Sequence, residues 1–460
     1  MKDEPKRTLV LGLARSGRGA VDLLLRLGTP PIGYDQRRPE DDEQRERIRL
    51  WESEGARFLF GEPDASMLSG VDRVVVSPGL PPGHLLLEEA RRRGVEIIAE
   101  IELAFRVMDA RLTAVTGTNG KSTTTTLIGE ILKRDGRRTA VAGNIGRPLC
   151  DAVGPYRDFD EIVAEISSFQ LEGVERFRPR LSVLLNVTED HLDRHGTFEE
   201  YLRLKGRVFE NQREGDWAVL NYDDPACRRM VRKGGARTAW ISRTAQGGFP
   251  GVYLRYGEIL STLGGDEELV GLERDIAVPG PHNRTNALAA TAIAKILGVP
   301  NNVIRTTLRE FPGLEHRLER VETVRGIHFI NDSKATNVES VYYALQSFDA
   351  PIVWIAGGRP KKPTFDTLRD LVAIHVRSMV LIGEARRLLE EAFPDVSDRY
   401  YADSMEQAVR IAYRVARKGD VVLLSPGCTS FDWYHDFEER GRDFKSEVRA
   451  LAEREKHDEA

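Results

Sequence analysis

Short β-branched, apolar runs recur along the whole chain, separated by segments whose apolar residues fall at three- and four-residue spacing. This alternation constrains the fold more than any other feature. A strand that reads as an unbroken apolar run is buried on both faces, and helices crossing over a parallel sheet bury it in that way. The pattern predicts strands from Thr8 to Leu13, Leu112 to Thr116, Glu161 to Ile166, Leu181 to Asn186, Trp217 to Leu220, Gly326 to Asn331, Ile352 to Ala356, Ser378 to Ile382 and Val421 to Leu424. Residues 234 to 276 are richer in glycine and read as short strands and turns, before PGPHNRTNALAATAIAKIL opens a helix. The fold class is α/β. At 460 residues, and roughly 150 residues per domain, about three domains are expected.

Two glycine turns follow predicted strands. Gly12-Leu-Ala14-Arg-Ser-Gly17 leads from the first strand into a helix, and Asp35 closes the next strand, as in half of a dinucleotide-binding unit. Ala14 replaces the middle glycine, which obstructs a pyrophosphate over the turn. A nucleotide-sugar site, a dinucleotide site and a purely structural turn all stay open. The second turn, Gly117-Thr118-Asn119-Gly120-Lys121-Ser122-Thr123, lies between a strand and a helix, where backbone N–H groups and the helix dipole receive phosphate oxygens. Lys121 can neutralise the β/γ charge and the Ser122 hydroxyl can hold Mg²⁺.

Polar clusters close the neighbouring strands. Glu165 ends the apolar run IVAEI, where a carboxylate is costly unless paired or bound to metal. Asn144 sits in a Gly-Asn-Ile-Gly turn. Among TEDHLDRH, His191 is the stronger ligand candidate, and His195 is expected to be a surface residue. Lys205, in YLRLKGRVFE, reads by itself as a solvated helix charge. The charged stretch from Glu40 to Glu54 predicts a solvated helix with no function of its own.

Composition removes several classes. A net charge of -5 disfavours a general nucleic-acid binder, and three scattered cysteines suggest neither a disulfide framework nor a zinc site. No run approaches the ~20 apolar residues of a membrane span, nor is a signal peptide's apolar region completed. A cytoplasmic protein is expected, with no nucleic-acid or membrane partner.

GTNGKST, GNIG, EISSFQLE, NVTEDHLDRHG, PGPHNRTNALAA, EHRLE and NDSKATN, in that order, resemble the Mur ligase family across essentially the whole chain. ISSFQLE, NDSKATN and SPGCTSFD resemble the forms of the member that adds D-glutamate to UDP-N-acetylmuramoyl-L-alanine. The resemblance implies an acyl phosphate made from ATP, then attack by an amine. It implies that Lys121, Ser122, Asn286, Arg317, Asp332 and Lys334 bind the nucleotide. Two Mg²⁺ ions, or Mn²⁺, would be held by Ser122, Glu165, His191 and Lys205, the lysine as a carbamate formed with CO₂. Ser16, Asp35, Arg37, Ser77 and Gly79 would take the UDP end of the substrate, and Asn144, Ser167 and Gln170 its muramoyl-peptide end. Thr336, Lys361, Ser430, Phe431 and Phe437 would take D-glutamate; spacing from Gly357-Gly favours Lys361 over Lys362. The expected architecture is a Rossmann-like N-terminal domain (1–107), a central P-loop ATPase domain with a mostly parallel sheet (108–311) and a Rossmann-like C-terminal domain (312–460), as a monomer.

Overall fold

The computed structural model describes residues 6–230, 234–244, 248–360 and 364–457. They form two compact units. One runs from the N-terminus to Asp275 and takes in Thr285–Leu308; the other comprises Ile276–Arg284 and the chain from Arg309. Three sheets lie within them, two in the first unit, in the order expected for three α/β domains.

The first sheet contains β1 (Thr8–Leu11), β2 (Ile32–Asp35), β3 (Arg57–Phe60), β4 (Arg73–Val76) and β5 (Glu96–Ala99), all parallel in the order β3-β2-β1-β4-β5. Every residue of β1 is buried, which explains its unbroken apolar run. β1 stops two residues before the predicted end because Gly12 turns the chain at φ +88°. The helix α1 (Arg15–Arg26) buries Gly17, Gly19, Ala20, Val21, Leu23 and Leu24. Gly17 permits that packing, since a Cβ there would fall 1.8 Å from the Gly12 carbonyl oxygen. The charged stretch forms α2 (Asp42–Ser53), capped by the Asp41 side chain on the Gln44 N–H. It is not wholly solvated: Trp51 is buried and its indole N–H donates to Asp22 at 2.7 Å.

The second sheet has nine strands: β6 (Arg111–Thr116), β7 (Thr139–Gly143), β8 (Glu161–Glu165), β9 (Leu181–Leu184), β10 (Trp217–Asn221), β11 (Arg237–Ser242), β12 (Gly251–Arg255), β13 (Glu258–Ser261) and β14 (Glu268–Leu272). Their order is β14-β13-β12-β11-β10-β9-β6-β8-β7, parallel except for the β12-β13-β14 meander. The glycine-rich stretch is therefore an extension of the central sheet. β6 lies between β9 and β8, so the loop after it emerges among the C-terminal ends of those strands, where open parallel sheets bind ligands.

In the second unit, β15 (Glu319–Val324), β16 (Ile327–Asn331), β17 (Ile352–Gly357), β18 (Val376–Ile382), β19 (Arg399–Tyr401) and β20 (Val421–Leu424) run β15-β16-β20-β17-β18-β19. Only the β15-β16 pair among them is antiparallel. Trp354, Ile355, Leu381 and Leu423 fill both sides of this sheet with no exposed surface.

Candidate active site

The loop after β6 is held from several sides. Gly117 (φ +147°) and Gly120 (φ +83°) adopt backbone conformations that side chains rarely tolerate, and Lys121 begins the helix Lys121–Arg134. Asn186, after β9, binds Asn119 twice: its Oδ1 accepts the Asn119 N–H at 2.8 Å and its Nδ2 donates to the Asn119 carbonyl at 3.1 Å. Thr118 Oγ1 donates to the Thr188 carbonyl at 3.2 Å and lies 3.3 Å from the Tyr201 hydroxyl. Ser122 and Thr123 are buried in the first turn of the helix. Asn286, also buried, stands so close that a Cβ on Gly120 would meet its Oδ1 at 2.3 Å.

Two lysines converge on one carbonyl. Lys121 Nζ donates to Gly117 O at 3.0 Å and Thr118 O at 2.7 Å, and Lys205 Nζ donates to the same Gly117 O at 2.8 Å. Lys205 is 1% exposed, so the solvated-helix expectation for it is corrected; its ammonium lies 4.5 Å from the Tyr201 ring centroid. Burial, and then the charge of Lys121, pull its pKa well below the ordinary lysine value.

Glu165 is buried at the end of β8, and Asn144 fastens it, its Nδ2 donating to Oε1 at 2.8 Å and its N–H to the Glu165 carbonyl at 2.9 Å. The turn must begin with glycine: a Cβ on Gly143 would lie 2.3 Å from that carbonyl oxygen. Ser167 and Gln170 close a capping box on the short helix Ser168–Leu171, with Gln170 Oε1 accepting the Ser167 N–H at 2.9 Å.

His191 lies 4.9 Å from the Phe169 ring, at φ +54°, a left-handed conformation that marks strain in a non-glycine residue. His195 is not a surface residue. It is buried between the rings of Phe169 and Tyr201, at 5.2 and 5.4 Å, and its Nε2 is 3.0 Å from Ser168 Oγ. The apolar setting pulls its pKa below the usual histidine value. Sequence reading missed this packing because only the tertiary fold brings Phe169 and Tyr201 to either side of the ring.

In the N-terminal sheet, Asp35 fixes the first glycine turn, its Oδ2 accepting the Leu13 N–H at 2.8 Å and its Oδ1 the Arg37 N–H at 3.0 Å. Ser77 is buried across from Gly12, whose added Cβ would meet Ser77 Cβ at 2.9 Å; Ser16 is half-buried on the first turn of α1, and Gly79 is exposed. A cleft of about 300 Å³ opens beside them, lined among others by Ala14, Asp35, Arg37 and residues of α2. Arg15, which the sequence did not single out, donates to the carbonyls of Asn144 at 2.8 Å and Gly146 at 3.1 Å. It links this turn to the turn beside Glu165.

The second unit carries its own cluster. Asp332 is buried, accepting the Leu318 N–H at 3.2 Å and the Ser425 hydroxyl at 2.8 Å, and burial pushes its pKa up to about 7. Arg317 lies between His316 (φ +65°) and Leu318 (φ +44°), two strained residues. Lys334 Nζ sits 4.8 Å from the Phe437 ring centroid. Thr336 is half-buried, Ser430 is buried and Phe431 is 58% exposed. Arg440 carries no signal in the sequence: fully buried, it donates to the Ser333 hydroxyl at 3.0 Å, the Ser333 carbonyl at 2.8 Å and the Cys428 carbonyl at 3.2 Å. It thereby joins the loops bearing Asp332 and Ser430. Lys361 and Lys362 lie outside the described residues.

Models of three successive domains match the chain: a Mur ligase MurD-like N-terminal domain at residues 6–99, a Mur ligase middle domain at 115–294, and a Mur ligase glutamate ligase domain at 316–428. The UDP-N-acetylmuramoylalanine–D-glutamate ligase of Thermoanaerobacter pseudethanolicus is 42% identical over 457 residues, 98% of this chain and all of that protein. The chain belongs to the Mur ligase family. The equally named Clostridioides difficile protein is 39% identical over 453 residues, covering 97% of this chain and 99% of its own length. The family fold is present throughout: the UDP-N-acetylmuramate–alanine ligase of Thermotoga maritima superposes with a TM-score of 0.59 at 19% identity, covering 97% of this chain and all of that one. As a Mur ligase, the chain is an ATP-dependent, amide-forming enzyme.

Proposed function

We propose that this ligase joins the amine of D-glutamate to the carboxylate of UDP-N-acetylmuramoyl-L-alanine, with ATP going to ADP and phosphate, in cytoplasmic peptidoglycan precursor synthesis. The observation that carries this reading is the convergence of Lys121, Lys205 and Glu165 around the phosphate loop, in a chain similar along its whole length to ligases of that name. Two anions must meet, so the site needs cations more than an acid–base pair. A substrate carboxylate oxygen attacks the γ-phosphorus and ADP departs; the D-glutamate amine then attacks the acyl carbon and phosphate departs. Lys121 is placed to leave its loop carbonyls for the β- and γ-phosphate oxygens, and the backbone N–H groups of the following helix turn face the same charge.

The donor set fits divalent cations. A buried carboxylate, Glu165, and a buried hydroxyl, Ser122, are hard oxygen ligands, and His191 adds a nitrogen. When bound, Mg²⁺ or Mn²⁺ would offset the charge shared by phosphate and acyl oxygens. The low pKa of Lys205 favours the free amine, which can add to CO₂ with loss of a proton; the resulting carbamate is an anionic oxygen donor beside the loop.

Asn286, Arg317, Asp332 and Lys334 bind the nucleotide in this reading. Ser16, Asp35, Arg37, Ser77 and Gly79 hold the UDP end, and Asn144, Ser167 and Gln170 the muramoyl-peptide end. Thr336, Lys361, Ser430, Phe431 and Phe437 hold D-glutamate, with Arg440 positioning their loops. The domain boundaries fall near residues 108 and 312 of the chain, and the protein acts as a monomer. Phosphate release measured with UDP-N-acetylmuramoyl-L-alanine, with and without D-glutamate, tests the assignment. D-glutamate-dependent release supports it. A stable phosphorylated product, or preference for L-alanine, L-lysine or meso-diaminopimelate over D-glutamate, overturns it.

A further inference from the structure

Arg194 plays no part in the chemistry described so far, although it follows His191 by three residues. Its guanidinium is largely buried, and each of its three nitrogens has an acceptor. Nε and Nη2 fork onto the Glu172 carboxylate at 3.2 and 2.8 Å, and Nη1 donates to the Leu80 carbonyl at 2.6 Å. The guanidinium carbon also lies 5.3 Å from the centroid of the Phe169 ring, against which His191 packs from 4.9 Å.

The two hydrogen-bonding partners belong to different parts of the site. Leu80 ends the turn that Ser77 begins: its N–H donates to the Ser77 carbonyl at 3.2 Å. That turn packs on the first glycine turn, since a Cβ on Gly12 would meet Ser77 Cβ at 2.9 Å and the Leu80 side chain at 3.2 Å. Glu172, by contrast, follows the short helix that bears Gln170. Arg207, two residues beyond Lys205, pins this backbone by donating to the Leu171 and Glu172 carbonyls at 2.8 and 2.7 Å. Arg194 therefore runs from an anchored carboxylate beside the nine-stranded sheet to a carbonyl beside the five-stranded one. Arg15 crosses in the opposite sense, from the first glycine turn to the carbonyls of Asn144 and Gly146.

We propose that Arg194 is a positioning residue that fixes the span between the Ser77 turn and the His191 segment, and so holds the two ends of one long substrate in register. This rests on reading the Ser77 turn as part of the UDP end and His191 as a metal ligand. A ligand that touches both ends gains from a fixed span, because its second contact then needs no further ordering of the protein. UDP touches one end only and gains nothing. Lysine is a poor replacement, since a single ammonium lacks the planar fork that grips Glu172 while reaching Leu80.

Calorimetric titration of the full-length protein with UDP and with UDP-N-acetylmuramoyl-L-alanine, in the absence of ATP, tests the proposal. Arg194→Met is expected to bind UDP as the wild type does, yet to lose affinity for the whole substrate on the order of tenfold and kcat on the order of 10²-fold. Arg194→Lys should fall between the two. Glu172→Gln, which weakens the anchor and keeps its shape, should show the same split in smaller measure and carries the comparison if Arg194→Met does not fold. Wild-type kcat and whole-substrate affinity in these variants would overturn the proposal, as would a wild type that binds UDP and the whole substrate equally well. Parallel loss of both ligands would also overturn it, by reducing Arg194 to a support of the Ser77 turn. A wild type that binds no UDP would instead refute the nucleotide-sugar reading of that turn.

Discussion

Replacing Lys205 by Met should make the protein more stable and leave it nearly inactive. The lysine is fully buried, with its ammonium supported by one carbonyl, Gly117 O, and the Tyr201 ring, and with Lys121 donating to the same carbonyl. Removing it leaves no orphaned acceptor, because Lys121 still satisfies Gly117 O. Methionine fills a similar volume without charge, and exchanging buried charges for apolar groups of like volume is often stabilising, by about 1–4 kcal/mol. The pKa of Lys205 is lowered in the fold, so between the folded and unfolded values the unfolded chain holds the extra proton. In CO₂-free buffer the wild type therefore gains stability as pH rises toward the unfolded lysine value, and the Met variant lacks that gain. Scanning calorimetry in such buffer should show a higher Tm for Lys205→Met at pH 7 and a gap that narrows with rising pH. Phosphate release should fall on the order of 10²–10³-fold. Lys205→Ala should be partly rescued by short carboxylic acids. A lower Tm in Lys205→Met, or most of the wild-type activity retained, would refute the reasoning.

Lys121→Ala should lose phosphate release by orders of magnitude yet keep calorimetric UDP binding, because the UDP cleft is lined by N-terminal residues; parallel loss of both would count against the assignment. Glu100 is buried where its Oε1 accepts the Cys150 N–H at 2.7 Å and its Oε2 has no hydrogen-bond partner among the described residues; burial pushes its pKa up to about 7. The folded carboxyl keeps its proton longer than the unfolded one, so this group's contribution to stability falls as pH rises from about 4.5 through 7, by about 3 kcal/mol. Glu100→Gln should flatten that slope in pH-dependent urea melts, whereas an unchanged slope would show that Glu100 does not titrate there. Lys361→Ala should raise KM for D-glutamate roughly 10- to 150-fold and barely affect KM for ATP; if Lys362→Ala carries the loss instead, the loop alignment moves by one residue.

The architecture was largely legible because buried parallel strands carry a one-dimensional signature: β6, β8, β17 and β20 lie where their apolar runs predict them, within a residue or two. The phosphate loop was legible for a related reason, since glycines at positive φ advertise a backbone that must turn close to a ligand. What the sequence hid depends on contacts between distant segments. His195 looks like any polar residue in an acidic loop until Phe169 and Tyr201 close on its two faces. Lys205 looks solvated because its helix is otherwise amphipathic, and only the Gly117 carbonyl shows where its amine goes. Arg440 lies in an arginine-rich helix where charge alone could not single it out. The helix α2 was legible as a helix and illegible as a wall, because the cleft it borders exists only after β2 and β3 pair.

The stack of Phe169, His195 and Tyr201 has a consequence for how such a chain can be recombined. Two stretches meet there, one bearing Phe169 and the other both His195 and Tyr201, and the tyrosine also touches Thr118 of the phosphate loop and the Lys205 ammonium. A chimera that took residues 165–172 from one homologue and 188–205 from another would join ring shapes never selected together. The misfit would pass from the stack to the loop and the lysine without altering a ligand-binding residue. The two stretches therefore behave as a single heritable block, and crossovers made between them should yield folded proteins that turn over poorly, while crossovers outside the block should be tolerated.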